Sequence, residues 1–198
     1  SLIPYNNSMR GHPNTADYRD IKAIKSVLAF TTSKLDDSHY KEEIERLGFL
    51  IPGEYTLEDH ENDLKKIFLV YEDDGKTHGY LRIDEAQEMS KSDKTIWLLP
   101  ELKDIYFSSP HANIGGIAVS PTAGGHGIGT ELLITAEQKL KEKGISHLFS
   151  FVIMSPITNI PSKNFHEKNG FKKAAEASAP EMFGLQNFQS TLYYKNLK

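Results

Sequence analysis

The stretch that most limits what this chain can fold into is residues 112–140, ANIGGIAVSPTAGGHGIGTELLITAEQKL. It opens as a strand-like run interrupted by Gly115-Gly116. It closes with Ile128, Leu132, Leu133, Ala136 and Leu140 at helical spacing, and Gly144 supplies the stop. Between the two, four of the six residues from Gly124 to Gly129 are glycine. Strand, glycine loop and helix in that order set a row of bare backbone N–H groups at the positive end of a helix. Glycine allows both a positive φ and a close approach of backbone to an anion. A turn without a ligand is the plain alternative.

Three phosphate-binding patterns compete for the loop. A P-loop requires GxxxxGK[ST], but Gly124–Thr130 reads GGHGIGT, with threonine where the lysine belongs. A dinucleotide fingerprint requires GxGxxG and an acidic residue about 20 positions on. Gly125, Gly127 and Gly129 give GxGxG, and Ser146–Ser150 reads SHLFS, with no acid. The third pattern, a loop of N–H groups seating a diphosphate on a helix end, fits. Glycines inside a strand mark a bulge or a close chain approach. A bulge at Gly115-Gly116 would part this strand from the next and leave amide groups seeking partners. Coenzyme A suits such a gap, with pantetheine amides at one end and a diphosphate at the other; an ordinary edge bulge is the alternative.

The rest of the chain reads as one mixed α/β domain. Asp17–Phe30 places Ile21, Ile24, Val27 and Leu28 on one helical stripe, and further helices are expected over Asp36–Leu47 and Leu57–Lys66. Residues 67–84 read as a hairpin around EDDGK. HLFSFVIM (147–154) is a nearly all-apolar interior strand, 159–171 a short helix ended by Asn169-Gly170, and weaker strands fall near 171–177 and 188–195. Tyr193 and Tyr194 read as alternating faces of that last strand. Residues 85–110 hold no sustained period and read as an insertion carrying the single Trp97, whose simplest place is the core. Zero cysteines exclude a thiolate nucleophile and cysteine metal ligands, and the eight histidines are scattered, so no metal site is expected. A net charge of −4 leaves no footprint for nucleic acid or an anionic membrane. No apolar run approaches the roughly 18 residues of a membrane span, and SLIPYNNSMRGHPN lacks the order of a signal peptide. A cytoplasmic location is expected, as monomer or homodimer.

These residues resemble the GNAT superfamily of N-acetyltransferases. Its signature, about [QR]-x-x-G-x-[GA], aligns with Gly124-Gly125-His126-Gly127-Ile128-Gly129. IAVSP (117–121) resembles the strand and turn before that signature. A second family pattern, N-x-x-[AS]-x-x-F-[YH]-E-K-x-G-F, matches Asn159, Ser162, Phe165, His166, Glu167, Lys168, Gly170 and Phe171, and Asp17 fits the start of the first helix. The resemblance spans residues 9–196, with its motif core at 112–171. It departs from the family at Gly124, where Gln or Arg is usual, at His126, where a cation is frequent, and at His166, where many members carry tyrosine. Histidine there resembles the branch acting on free amino acids and small amines.

The resemblance implies a single domain over 1–198 with a twisted, mostly antiparallel sheet flanked by helices and a splayed strand pair binding acetyl-CoA. It implies an acetyl-CoA-dependent N-acetyltransferase acting on a small-molecule primary amine by direct attack in a ternary complex. A transferase for protein N-termini or lysines, and a coenzyme A sensor without turnover, are the alternatives. The co-substrate would meet Ile117, Ala118, Val119, Gly124, Gly125, His126, Gly127, Ile128, Gly129, Thr130, Asn159, Ser162 and Phe165. Asn159 would serve either as that contact or as a helix cap. His166 is the candidate acid toward the leaving thiolate, or a packed structural residue. Asn113 stands where some members keep a glutamate and would hold a water, while His111, Asp84 and Glu85 are candidate bases. At pH 7, removing a proton from a lysine-like amine costs about 4–5 kcal/mol and from an α-amine about 1. A site without a strand carboxylate therefore suits a weakly basic acceptor.

Overall fold

The strand expected at Ala112–Val119 lies near the middle of an eight-stranded sheet in the computed structural model, which describes residues 11–17, 20, 22–24, 41–50, 58–59, 62, 65–85 and 94–198. The strands are β1 His12–Thr15, β2 Phe68–Asp73, β3 Lys76–Glu85, β4 Lys94–Trp97, β5 Ala112–Val119, β6 His147–Ser155, β7 Lys172–Met182 and β8 Leu185–Asn196. Their spatial order is β1-β2-β3-β5-β6-β8-β7-β4. Every neighbouring pair is antiparallel except β5–β6. The helices are α1 Lys41–Leu47, α2 Pro100–Ser108, α3 Ile128–Glu142 and α4 Ile160–Lys168.

Consecutive side chains on the strands divide the core between two faces. Leu148 and Tyr193 join Ile128, Leu132, Leu133, Ala136 and Leu140 of α3 on one face. Phe149 and Tyr194, one residue on, join Leu102 and Tyr106 of α2 on the other, with Trp97 packed alongside. The two tyrosines therefore do take alternating faces. Leu132, Leu133 and Leu140 are at most 1% exposed. Each such leucine contributes about 2–3 kcal/mol by burial, which fixes α3 and the loop at its N-terminus. Lys195 of β8 reaches Glu137 across 2.5 Å and ties the same helix from its flank.

Several expectations need adjustment. Residues 94–108 are not irregular: Lys94–Trp97 pairs with Ala175–Ser178 of β7, and Pro100 opens α2 at a position where its missing N–H costs nothing. The strand is four residues long, with Lys94 and Ile96 exposed, too short for a period to show. Strands β7 and β8 run longer than expected and meet in a tight hairpin. Residues 20, 22–24, 58–59 and 62 are helical within the expected first and third helices, and Lys41–Leu47 within the second. The remaining residues of those helices, and 86–93 of the segment before β4, lie outside the described residues.

Candidate active site

Parallel pairing of β5 with β6 stops almost as it begins. Only Ala112 and Asn113 find register partners, Leu148 and Phe149. On its other side β5 stays paired with β3 as far as Val119, but with a bulge: Arg82 faces Gly116 while Ile83 faces Ile114, leaving Gly115 as the extra residue. A Cβ on Gly115 would stand 2.0 Å from Asp84 Oδ2, so the bulge admits no side chain there. Arg82 holds that carboxylate with Nε at 3.1 Å and also donates to the Gly115 carbonyl at 3.0 Å, while Lys66 stands 3.7 Å from Asp84 Oδ1. Beyond the bulge, alternate residues from Ile114 to Val119 turn N–H and C=O groups away from β3 into a gap that β6 does not fill.

The gap leads to the glycine loop. After one tight turn at Pro121–Ala123, the chain reaches Gly125 and Gly127 with φ of +82° and +73°. Both values lie in the left-handed region that glycine takes without strain. A Cβ on either would meet nothing within 4 Å, so the space above them is open. Gly127 is the N-cap of α3 and supplies no side-chain cap. Among the described residues the N–H groups of Gly125 to Thr130 find no acceptor, and the first bond into the helix runs from Glu131 to the Gly127 carbonyl. Backbone N–H groups of the loop and the positive end of a four-turn helix thus border one open cavity, which fits a diphosphate.

A continuous cavity of about 1040 Å³ joins this loop to the opposite face of the sheet. Ile117, Ala118, Val119, Gly124, Gly125, His126, Gly127, Ile128, Gly129, Thr130, Asn159, Ser162, Phe165 and His166 all border it. The far end is walled by Phe68, Tyr80, Arg82, Phe151, Phe183 and Phe188. Among the described lining residues none is aspartate or glutamate, although the chain carries 27 of them. Asn159 is a helix cap: its Oδ1 accepts from the Ser162 N–H at 3.3 Å, and its Nδ2 donates to the Phe49 carbonyl at 2.8 Å.

Asn113 and His111 are brought together, but they do not line the cavity. Asn113 is 1% exposed, and neither of its amide atoms completes a hydrogen bond of good geometry. His111 donates from Nδ1 to the Ser109 carbonyl at 3.0 Å and packs between Tyr106 and Phe149. Burial pushes the Tyr106 hydroxyl up to about 12, an effect partly offset by the adjoining Asn113. Glu85 ends β3 opposite Ala112.

In the cavity wall His166 meets Ser150, a residue that carries no functional signal in the sequence. His166 Nδ1 lies 2.6 Å from the Ser162 carbonyl, and Nε2 lies 2.7 Å from Ser150 Oγ. A carbonyl only accepts, so Nδ1 carries the proton and Nε2 receives the Ser150 hydroxyl hydrogen. Burial holds the imidazole down at about 4, with the Ser162 hydrogen bond opposing the shift. At neutral pH that shift favours the uncharged ring, whose Nε2 accepts from Ser150. Ser150 was visible as the one hydroxyl inside FVIM-type apolar sequence, but only the approach of α4 gives it a partner.

The sequence profile of the Acetyltransferase (GNAT) family matches residues 31–171. The chain belongs to that family. Membership makes it an acetyl-CoA-dependent acyltransferase, and the wedge, loop and cavity are the features that fit this co-substrate. Solved structures share the GNAT fold along nearly the whole chain. An N-acetyltransferase from Staphylococcus aureus Mu50 is 19% identical over 95% of this chain and 99% of its own, with a TM-score of 0.62. The PaiA N-acetyltransferase from Thermoplasma acidophilum, in complex with coenzyme A, is 18% identical over 95% and 99%, with a TM-score of 0.60. The ribosomal-protein-S18-alanine N-acetyltransferase from Escherichia coli is 15% identical over 95% and 94%, with a TM-score of 0.57. At these identities the likeness speaks for the fold alone. No curated protein sequence matches the chain. No helix among the described residues is long and apolar enough to cross a membrane, and those residues hold no cluster able to ligate a metal.

Proposed function

We propose that this GNAT member transfers the acetyl group of acetyl-CoA to the primary amine of a small molecule, by direct attack in a ternary complex. One observation carries the reading: a single cavity runs from the glycine loop through the β5–β6 wedge to an aromatic end with no carboxylate among its described lining residues. Both reactants would occupy it together. An enzyme for lysine side chains or a basic peptide would be expected to present acidic groups to its substrate, and the described lining has none.

Roles follow from the residues in place. The N–H groups of Gly125–Thr130 would seat the diphosphate, and the free edge of β5 from Ile117 to Val119 would pair with pantetheine and polarise the thioester oxygen. Ser150, with its hydrogen given to His166, keeps its oxygen lone pairs for the cavity. It would accept one proton from the attacking nitrogen while passing its own to Nε2, and the reverse transfer would deliver a proton to the departing sulfur. The count balances: nitrogen loses one proton and sulfur gains one. An imidazole held near 4 returns a proton readily, which suits a relay better than a reservoir. Asn113 and His111 stand outside the cavity wall and take no part in this scheme.

The test is initial-rate coenzyme A release with a panel of amino acids, arylalkylamines, polyamines, aminoglycosides and short peptides. Release in step with a small amine, with intersecting double-reciprocal lines, supports the proposal. Parallel lines would replace the ternary complex with an acyl-enzyme, binding without release would make the chain a sensor, and release with peptides alone would make it a protein acetyltransferase.

A further inference from the structure

The β7–β8 hairpin turns on two residues, Phe183 and Gly184, between the paired Met182 and Leu185. Their φ angles are +55° and +75°, the values of a type I′ turn. The chain builds the same turn once more, between Asp73 and Lys76 of the β2–β3 hairpin, from Asp74-Gly75 at φ +49° and +69°. Aspartate and asparagine tolerate the first position of such a turn; phenylalanine does not. Among the described residues only Asp74, Phe183 and Asn187 are left-handed without being glycine. Phe183 is the misfit of the three.

Among the described residues the ring finds little to offset that strain. It is 63% exposed, and its one aromatic neighbour is Phe188, edge-on at 5.8 Å. It does border the cavity, at the end walled by Phe68, Tyr80, Phe151, Met182 and Phe188. Among the described residues at that end the one formal charge, Arg82, is matched by Asp84. A strained, exposed aromatic over a chamber whose described lining is aromatic and holds no carboxylate points to a contact that forms with a ligand.

We propose that Phe183 is a specificity-determining residue of the acceptor site, its ring held in a strained turn to close over an amine carried on an apolar, ring-bearing body. This rests on the small-molecule acetyltransferase reading above. Such an acceptor brings one amine and no second cation, since no carboxylate stands among the described lining residues to match one.

The probes are phenethylamine, butylamine (the same charge without a ring), spermidine and a short peptide with a free N-terminus. Wild-type protein is expected to use phenethylamine with a kcat/KM at least about tenfold above butylamine and spermidine. Phe183→Asn relaxes the turn, so its Tm should rise while KM for phenethylamine rises about tenfold and the preference for phenethylamine over butylamine shrinks. Phe183→Tyr restores the ring and the wild-type KM. An unchanged phenethylamine KM in Phe183→Asn, a fall in its Tm, or a preference for spermidine overturns this inference alone. Release with the peptide only, or with no amine, overturns the small-molecule reading and this inference with it.

Discussion

Acidification should unfold this protein partly through one buried imidazole. His166 is 1% exposed, and burial holds its folded-state value at about 4 against an ordinary 6.5. The unfolded chain therefore takes up the proton first as pH falls. The stability this group contributes is complete above 6.5 and is lost progressively as pH drops toward 4, after which the curve flattens. The separation between the two values corresponds to about 3 kcal/mol in all, most of it gone by about pH 4.5. Urea denaturation of wild type and His166→Gln, at several pH values between about 7.5 and 4.5, isolates the contribution because the other titrating groups cancel in the difference. Glutamine can still donate to the Ser162 carbonyl and accept from Ser150, and it does not titrate. The wild-type curve should fall about 2–3 kcal/mol more steeply than the variant across that window. Parallel curves would show that the imidazole is not held neutral, and the Ser150–His166 relay would lose its basis.

Three further outcomes follow. Ser150→Ala should lower kcat by about a hundredfold with KM for acetyl-CoA little changed, since it removes the relay and leaves the loop intact; stopped-flow thiol detection measures both. Gly115→Ala should cost about 1–3 kcal/mol and weaken coenzyme A binding, because its Cβ would stand 2.0 Å from Asp84 Oδ2. Adding Asp84→Ala should recover part of that loss, and strict additivity of the two substitutions in denaturation and calorimetry would contradict the steric account. An amine must shed its proton to attack, and no described lining residue is a carboxylate that would take it. The kcat/KM of a given amine should thus climb about tenfold per pH unit up to that amine's own pKa, and a plateau well below it would require a base among the cavity residues.

What the sequence revealed and what it hid divide along physical lines. The β5 strand, the glycine loop and α3 were legible because each carries its own local mark: a strand run, residues without side chains, and an apolar stripe of period 3.6. The bulge at Gly115 was legible for the same reason. Strand β4 and helix α2 were not, since a four-residue edge strand gains its identity from β7 and not from its own pattern. The hairpin turn was hidden twice over. Phe183-Gly184 does not look like a type I′ turn, and Pro180 argues against a strand through that region. Pro180 fits because, among the described residues, none pairs with β7 on the β4 side beyond Ser178. The Ser150–His166 contact joins residues 16 apart on different elements, so no local pattern announces it. His111 and Asn113 looked chemical because of their residue types and their place on β5, yet their side chains turn into the layer beneath α2.

Amide chemical shifts followed during a coenzyme A titration test the central claim most directly. Backbone dipoles of the loop and of the parted strand are held to seat this carrier, so the N–H signals of Gly125–Thr130 and Gly116–Val119 should move together and saturate. Movement confined to other residues, or no saturable shift in either segment, would contradict that account.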